Sequence, residues 1–145
     1  MIGASSAGTE TLKNLVLPGA GSFIIVDDAK VTQRDTGNDF FVTQESVGES
    51  KAKVVCEMMK EMNPDVKEGL AMEISPAKFI SENQETILQA KLVIANDIGE
   101  GLAGALSSIC YPKNIPIIVI RQYGMLGYTR LCKQSNCIVE PKVFM

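Results

Sequence analysis

The sequence contains no histidine among its 145 residues, and its four cysteines are spread out as Cys56, Cys110, Cys132 and Cys137. A catalytic Cys–His pair within the chain is therefore impossible. No two cysteines form a C-x-x-C pair, so the usual ligand spacing of a zinc site is missing as well. We interpret the cysteines as reduced, mostly buried thiols and expect neither a metal site nor a thiol catalyst.

Three further patterns are missing. The 14 basic residues are not clustered and the net charge is −3, which argues against a nucleic-acid surface. The longest apolar runs, such as IPIIVI, are too short to cross a bilayer, so we expect no membrane partner. The N-terminus MIGASSAGTE has no basic stretch followed by an apolar run, which makes a cytoplasmic or nuclear location the default expectation.

What the sequence does contain is an alternation of apolar strands and helices. The patterns predict helices over 7–17, 49–62 and 99–109, with one or two short helical turns in 75–89. They predict strands over 22–28, 66–74, 92–97 and 115–120, an irregular stretch over 29–40, and an antiparallel tail in which residues 128–132 alternate. We therefore predict one α/β domain with a mostly parallel sheet, covered by helices on both faces.

Such sheets bind ligands at the carboxyl ends of their strands, which here carry Asp27, Asp28, Asn96 and Asp97. Nucleotide-binding units place a strand before the glycine loop, but only Met1 and Ile2 precede Gly3. We therefore expect the first strand to be truncated, and residue 1 not to be the natural start of the fold.

The segment GASSAG, residues 3 to 8, has the outer glycines of a phosphate loop, Gly3 and Gly8, but Ser5 replaces the middle glycine. A middle glycine lets the backbone approach a phosphate closely, and Ser5 should hinder that approach. A tight turn between a strand and a helix explains the segment equally well.

Three charged residues complete the candidate nucleotide site. Asp27 follows the loop at about the interval of a ribose-binding acid, although strand ends commonly carry Asp. Asp97 could hold magnesium through a carboxylate oxygen, or could simply cap the following helix. Lys51 lies near a helix start and could meet a phosphate, although an exposed lysine is the more ordinary interpretation.

Several segments carry a family resemblance. KNLVLPGAGSF, the GNDFF block at 37–41 and YGMLGY at 123–128 resemble the ubiquitin-like-modifier activating enzymes, a ThiF/MoeB-like family. Within that family they are most similar to the regulatory subunits of the neddylation activating enzyme. The resemblance implies a Rossmann-like adenylation fold, and residues 1–145 would be a partial, inactive copy of it. The family's own chains are much longer.

The resemblance also implies a division of labour. A separate catalytic subunit binds MgATP, adenylates the modifier and supplies the thioester cysteine, and the regulatory chain pairs with it as a heterodimer. The chain itself would then need no cofactor and hold no catalytic residue. The family also implies an arginine that the regulatory chain sends into the partner's ATP site from a segment before Met1.

Residue by residue, the matching positions are mixed. Asp27 matches the ribose acid, Lys51 the phosphate lysine and Asp97 the magnesium acid of active members. Where active members carry Asn-Arg-Gln, this sequence has Gly37, Asn38 and Asp39. Asn38 cannot supply the arginine's charge and Asp39 adds a negative one, which would repel a triphosphate.

Three functions remain open at this stage: a non-catalytic scaffold subunit in neddylation, with a sumo-activating counterpart as a variant; a self-sufficient ATP-dependent adenylating enzyme; and an NAD-dependent oxidoreductase. The altered loop and the lack of histidine make the oxidoreductase the weakest of the three.

Overall fold

The computed structural model describes residues 1–135, and the prediction for Cys137 lies outside them. These described residues form five α-helices and five strands, mostly in alternation. The helices are α1 (Ser6–Val16), α2 (Lys51–Met62), α3 (Pro76–Glu82), α4 (Gln84–Gln89) and α5 (Glu100–Cys110). The strands are β1 (Ser22–Val26), β2 (Glu68–Met72), β3 (Val93–Asn96), β4 (Ile117–Tyr123) and β5 (Leu126–Cys132).

The strands form two groups that a short N-terminal segment joins. β1 pairs with β2 in parallel, β3 pairs with β4 in parallel, and β4 pairs with β5 in an antiparallel hairpin. Ile2 bridges both groups, because it pairs in parallel with Val26 and with Ala95. The predicted parallel sheet with an antiparallel end is therefore confirmed.

Residues 1–3 lie between β1 and β3 in the sheet, at the position where we expect a truncated first strand. The Ile2 N–H donates to the Ile94 carbonyl at 2.8 Å, and the Gly3 N–H donates to the Val26 carbonyl at 2.9 Å. The strand is reduced to a bridge, yet it satisfies backbone groups of both neighbours that would otherwise be buried without partners. Burial lowers the pKa of the Met1 amine to about 5.

Helices cover both faces of the sheet, as predicted. Side chains alternate along each strand, so that Val93 and Ala95 face α3, α4 and α5 while Ile94 faces α1 and α2. Phe79, Ile87 and Leu106 fill one core, and Leu12, Val55 and Met59 fill the other. Because both faces are covered, β3 is buried throughout and contains no charged residue.

Local signals account for the helix starts. α2 begins at Lys51, two residues after the predicted start, because the Ser50 hydroxyl caps it by accepting from the Lys53 N–H. Ser75 caps α3 in the same way. In α1, Leu12 and Val16 are buried as the apolar pattern predicts, but Leu15 remains 37% exposed, so the apolar face is narrower than its sequence suggests.

The long connection between β1 and α2 has a single short 3-10 turn, Asp35–Gly37. A β-bridge between Lys30 and Ser50 joins the two ends of this connection. The side chains of Val31, Phe41 and Val42 within it are buried. The predicted irregular stretch is thus ordered by packing. This connection lies next to the candidate site.

Candidate functional site

The GASSAG loop packs against the end of β3. Gly3 has a φ of +84°, and a Cβ on it would lie 2.0 Å from the Asn96 carbonyl oxygen. A Cβ on Gly8 would lie 2.7 Å from the Asn96 Nδ2. Both glycines are therefore needed for close contact with Asn96, which is itself almost fully buried.

Ser5 is bound to the polar end of β3. Its hydroxyl donates to the Asp97 Oδ2 at 2.6 Å and accepts from the Asn96 side-chain amide. It is the N-cap residue of α1, yet its side chain does not cap a helix N–H. The hydroxyl is therefore engaged with Asp97 and Asn96, instead of with the free N–H groups at the start of α1.

Both candidate nucleotide acids in the strand ends are engaged by the protein. The Asp27 Oδ2 accepts from the Ala4 N–H at 2.6 Å, and its Oδ1 accepts from the Ala29 N–H at 2.7 Å. Asp97, which has a φ of +51°, accepts from the Gln122 N–H at 3.1 Å with its other oxygen. The structure thus brings Gly3, Ser5 and Gly8 together with Asp27 and Asp97, as the sequence predicted.

Lys51 is the first residue of α2. Its side chain is 11% exposed, and its Nζ forms an ion pair with the Asp35 Oδ1 at 2.8 Å. Thr32 donates two hydrogen bonds to the other Asp35 oxygen, from its N–H at 2.8 Å and from its hydroxyl at 2.7 Å. Burial opposes ionisation of Asp35, but these bonds from Lys51 and Thr32 outweigh it and lower the pKa of the carboxyl.

The two residues that replace the family's arginine region have different surroundings. Asn38 is exposed, whereas Asp39 is buried at 5% exposure. The Asp39 Oδ1 accepts from the Phe41 N–H at 3.0 Å, and its Oδ2 has no hydrogen-bond partner. Burial raises the pKa of Asp39.

Lys13 on α1 contacts Phe40, which follows Asp39 in the connection between β1 and α2. Lys13 pairs with Glu10 one turn earlier, and its Nζ lies 5.3 Å from the centre of the Phe40 ring. The two lysines that pack in this corner, Lys13 and Lys51, are therefore both paired with carboxylates.

Sequence reasoning missed Asp35 and Gln122. Gln122 contributes only a backbone N–H, which carries no sequence signal. Asp35 starts a short turn three residues after Thr32, a spacing common where an Asp side chain accepts from the backbone, but that pattern does not reveal the pairing with Lys51.

The residues present do not fit MgATP in this arrangement. Lys51, the candidate phosphate contact, is paired with Asp35, and both oxygens of Asp97, the candidate magnesium ligand, accept hydrogen bonds from the protein. Within residues 1–135, His, Cys, Asp and Glu side chains form no group of three that could hold a metal ion. In the same residues, no helix is long and apolar enough to cross a membrane.

The three cysteines within residues 1–135 have no part in this site. Cys56 and Cys110 are free and buried, and burial raises the pKa of both. A raised pKa keeps these thiols protonated at neutral pH and poorly nucleophilic. Cys132 is free and partly buried on β5.

A scan against family models matches the ThiF family over residues 1–139. The chain belongs to the ThiF family. The ThiF chain is 39% identical to the NEDD8-activating enzyme E1 regulatory subunit of Danio rerio and 38% identical to that of Gallus gallus, in each case over 97% of its own length. It spans about a quarter of the length of these curated relatives (26%).

A solved structure, the crystal structure of PaaA, superposes on the chain with a TM-score of 0.71. The sequence identity is 17%, and the match covers 82% of this chain and 38% of that one. At this identity the similarity concerns the fold alone, and it confirms the ThiF/MoeB-type architecture predicted from the sequence.

Proposed function

We propose that this ThiF chain forms part of a regulatory subunit of the enzyme that activates the ubiquitin-like modifier NEDD8, and that it supports a catalytic subunit without adenylating the modifier itself. The relatives at 38–39% identity, which carry the name NEDD8-activating enzyme E1 regulatory subunit, support the neddylation assignment. They favour it over the sumo-activating variant.

The observation that carries the non-catalytic role is the ion pair between Lys51 and Asp35. An adenylating site uses cations to stabilise the phosphates of ATP, and a carboxylate paired with such a cation weakens its net attraction for an anion. Here the lysine that matches the phosphate contact is buried against a carboxylate, and the matching arginine position is Asn38. In this proposal the chain needs no cofactor of its own, and MgATP is bound by the catalytic subunit.

Retention of the fold without its chemistry has a physical rationale. A subunit that no longer binds nucleotide can still present a large surface to a partner, and obligate interfaces are large and apolar. Met125, Leu126 and Tyr128 on the β4–β5 hairpin are exposed, as such a role requires.

Two measurements on the full chain test the proposal. We expect a catalytic activating subunit to co-purify with the tagged full chain from extract, and we expect calorimetry to detect no MgATP binding by the full chain alone. A micromolar dissociation constant for MgATP would contradict the non-catalytic role.

A pyrophosphate-exchange assay addresses the second function, a self-sufficient adenylating enzyme. That enzyme would exchange pyrophosphate into ATP without a partner, and Asp97→Ala would abolish the exchange. We expect no exchange by the wild-type full chain, and exchange that depends on Asp97 would favour the second function.

A further inference from the structure

The backbone of Lys51 is connected through Ala29 to Asp27, the candidate ribose acid. The Lys51 N–H donates to the Ala29 carbonyl at 3.0 Å, and the Ala29 N–H donates to the Asp27 Oδ1 at 2.7 Å. Lys51 is thus fixed beside the strand end where a nucleotide would lie. Its ammonium is the group that a phosphate would have to reach.

Asp35, which binds the Lys51 ammonium, is itself held in place by other hydrogen bonds. One carboxylate oxygen accepts from Lys51, and the other accepts two hydrogen bonds from Thr32. The backbone of Asp35 is also fixed, since its carbonyl accepts from the Asp39 N–H at 2.9 Å. A carboxylate held by three hydrogen bonds in a partly buried position is difficult for an incoming anion to displace.

We propose that the Asp35 carboxylate occupies the position of a phosphate group, and that by neutralising Lys51 from within it is the contact that excludes polyphosphate from this site. The inference rests on the proposed function and names the residue that determines it. It also assigns a secondary role to Asn38, since Asn38 is exposed whereas Asp35 pairs directly with Lys51.

The neighbouring charges reinforce the exclusion. Asp39 is buried next to Asp35, since the Asp39 N–H donates to the Asp35 carbonyl at 2.9 Å. An anion that displaced Asp35 would still meet the Asp39 carboxylate at the same corner. Two donors of the loop are already engaged, since Ser5 donates its hydroxyl proton to Asp97 and Ala4 donates its N–H to Asp27.

The test frees Lys51 without changing its own chemistry. In the full chain, Asp35→Asn removes the charge that holds Lys51, and sodium tripolyphosphate titrated by calorimetry serves as the probe. We expect the variant to bind tripolyphosphate at least about tenfold more tightly than the wild type. Adding Lys51→Met to Asp35→Asn should abolish the gain.

Asp28→Asn is the matched control. Asp28 is an exposed acid at the end of β1, so its substitution removes the same charge from the same region without releasing Lys51. If Asp28→Asn raised the affinity as much as Asp35→Asn, general charge and not the Lys51 contact would be responsible, and the inference would be wrong.

Circular dichroism and thermal unfolding establish that each variant is folded, and Asp35→Ser replaces Asp35→Asn if the latter does not fold. A folded Asp35 variant with wild-type affinity for tripolyphosphate would overturn the inference while leaving the proposed function intact. Strong MgATP binding by the wild type would instead contradict the proposed function.

Discussion

The loop edge of the sheet and the β4–β5 hairpin differ in how they use their side chains. At the loop edge, the polar groups of Ser5, Asp27 and Asp97 are bound to other groups of the same chain. On the hairpin, Met125 is fully exposed and Leu126 is 75% exposed. Most polar groups in the part with the chemistry of a ligand site bind other groups of the same chain, with the buried Asn96 Oδ1 left unpaired, and the hairpin faces outward.

This difference indicates where the molecule can meet other molecules. A site whose donors and acceptors are paired must break those pairs before it binds anything, and each broken buried pair costs free energy. An exposed apolar strand loses nothing comparable on contact with a partner. The contrast agrees with the proposal that the chain supports a partner without binding nucleotide itself.

Gly3→Ala should have the largest effect, because the new Cβ would lie 2.0 Å from the Asn96 carbonyl oxygen at a φ of +84°. We expect a loss of about 4 kcal/mol or more in the free energy of unfolding, measured by urea titration of the full chain. Gly127→Ala on the hairpin is the control, since a Cβ there meets nothing within 4 Å. Equal losses for the two variants would remove the contrast between the two regions.

Lys51→Met should have the next largest effect, because it leaves Asp35 partly buried without its cation. We expect the free energy of unfolding to fall by about 3 kcal/mol. Lys53→Met is the matched control, since Lys53 pairs with Glu73 at 2.6 Å in a more exposed position on the same helix. The free energy of unfolding of Lys53→Met should barely change. A loss as large as that of Lys51→Met would show that the burial of Lys51 does not matter.

Asp39→Asn tests the unpaired carboxylate by pH. Because burial raises the folded-state pKa of Asp39, its ionisation destabilises the fold above that pKa, and the penalty is absent below the unfolded value of 3.8. We therefore expect Asp39→Asn to raise the urea midpoint at pH 7 and to lose this advantage as the pH falls towards 3.8. An advantage that did not change with pH would contradict the assigned cause.

Met125→Ser on the hairpin should have the smallest effect. The side chain is exposed and contributes no buried area, so the free energy of unfolding should change by less than about 0.5 kcal/mol in urea titrations. A loss comparable to that of Lys51→Met would mean that the hairpin is packed in solution, and the two regions would then differ less than described.

Much of the fold was predictable because apolar periodicity reports burial directly. The run SFIIV predicted β1, and the alternating tail predicted β5. Pro64 predicted the end of α2 to within two residues. The site was predictable only in part. Gly3, Ser5, Asp27 and Asp97 converge because parallel strands end at one edge, which the strand pattern already implies.

The direction of a charged side chain was not predictable. Lys51 and Asp35 are 16 residues apart, and their pairing depends on how an irregular connection packs over α1 and α2. No periodicity describes such a connection. The same applies to Asp39, whose burial follows from the anchoring of Phe41 in the core.

Asn96 has a consequence for how such chains diverge. Its backbone carbonyl opposes any larger residue at Gly3 and its side chain opposes one at Gly8, so both loop glycines are needed whether or not the chain ever meets a nucleotide. Selection for a folded chain alone would then preserve a glycine signature long after catalysis had disappeared. Motif searches that count glycines would keep classifying these descendants as nucleotide binders.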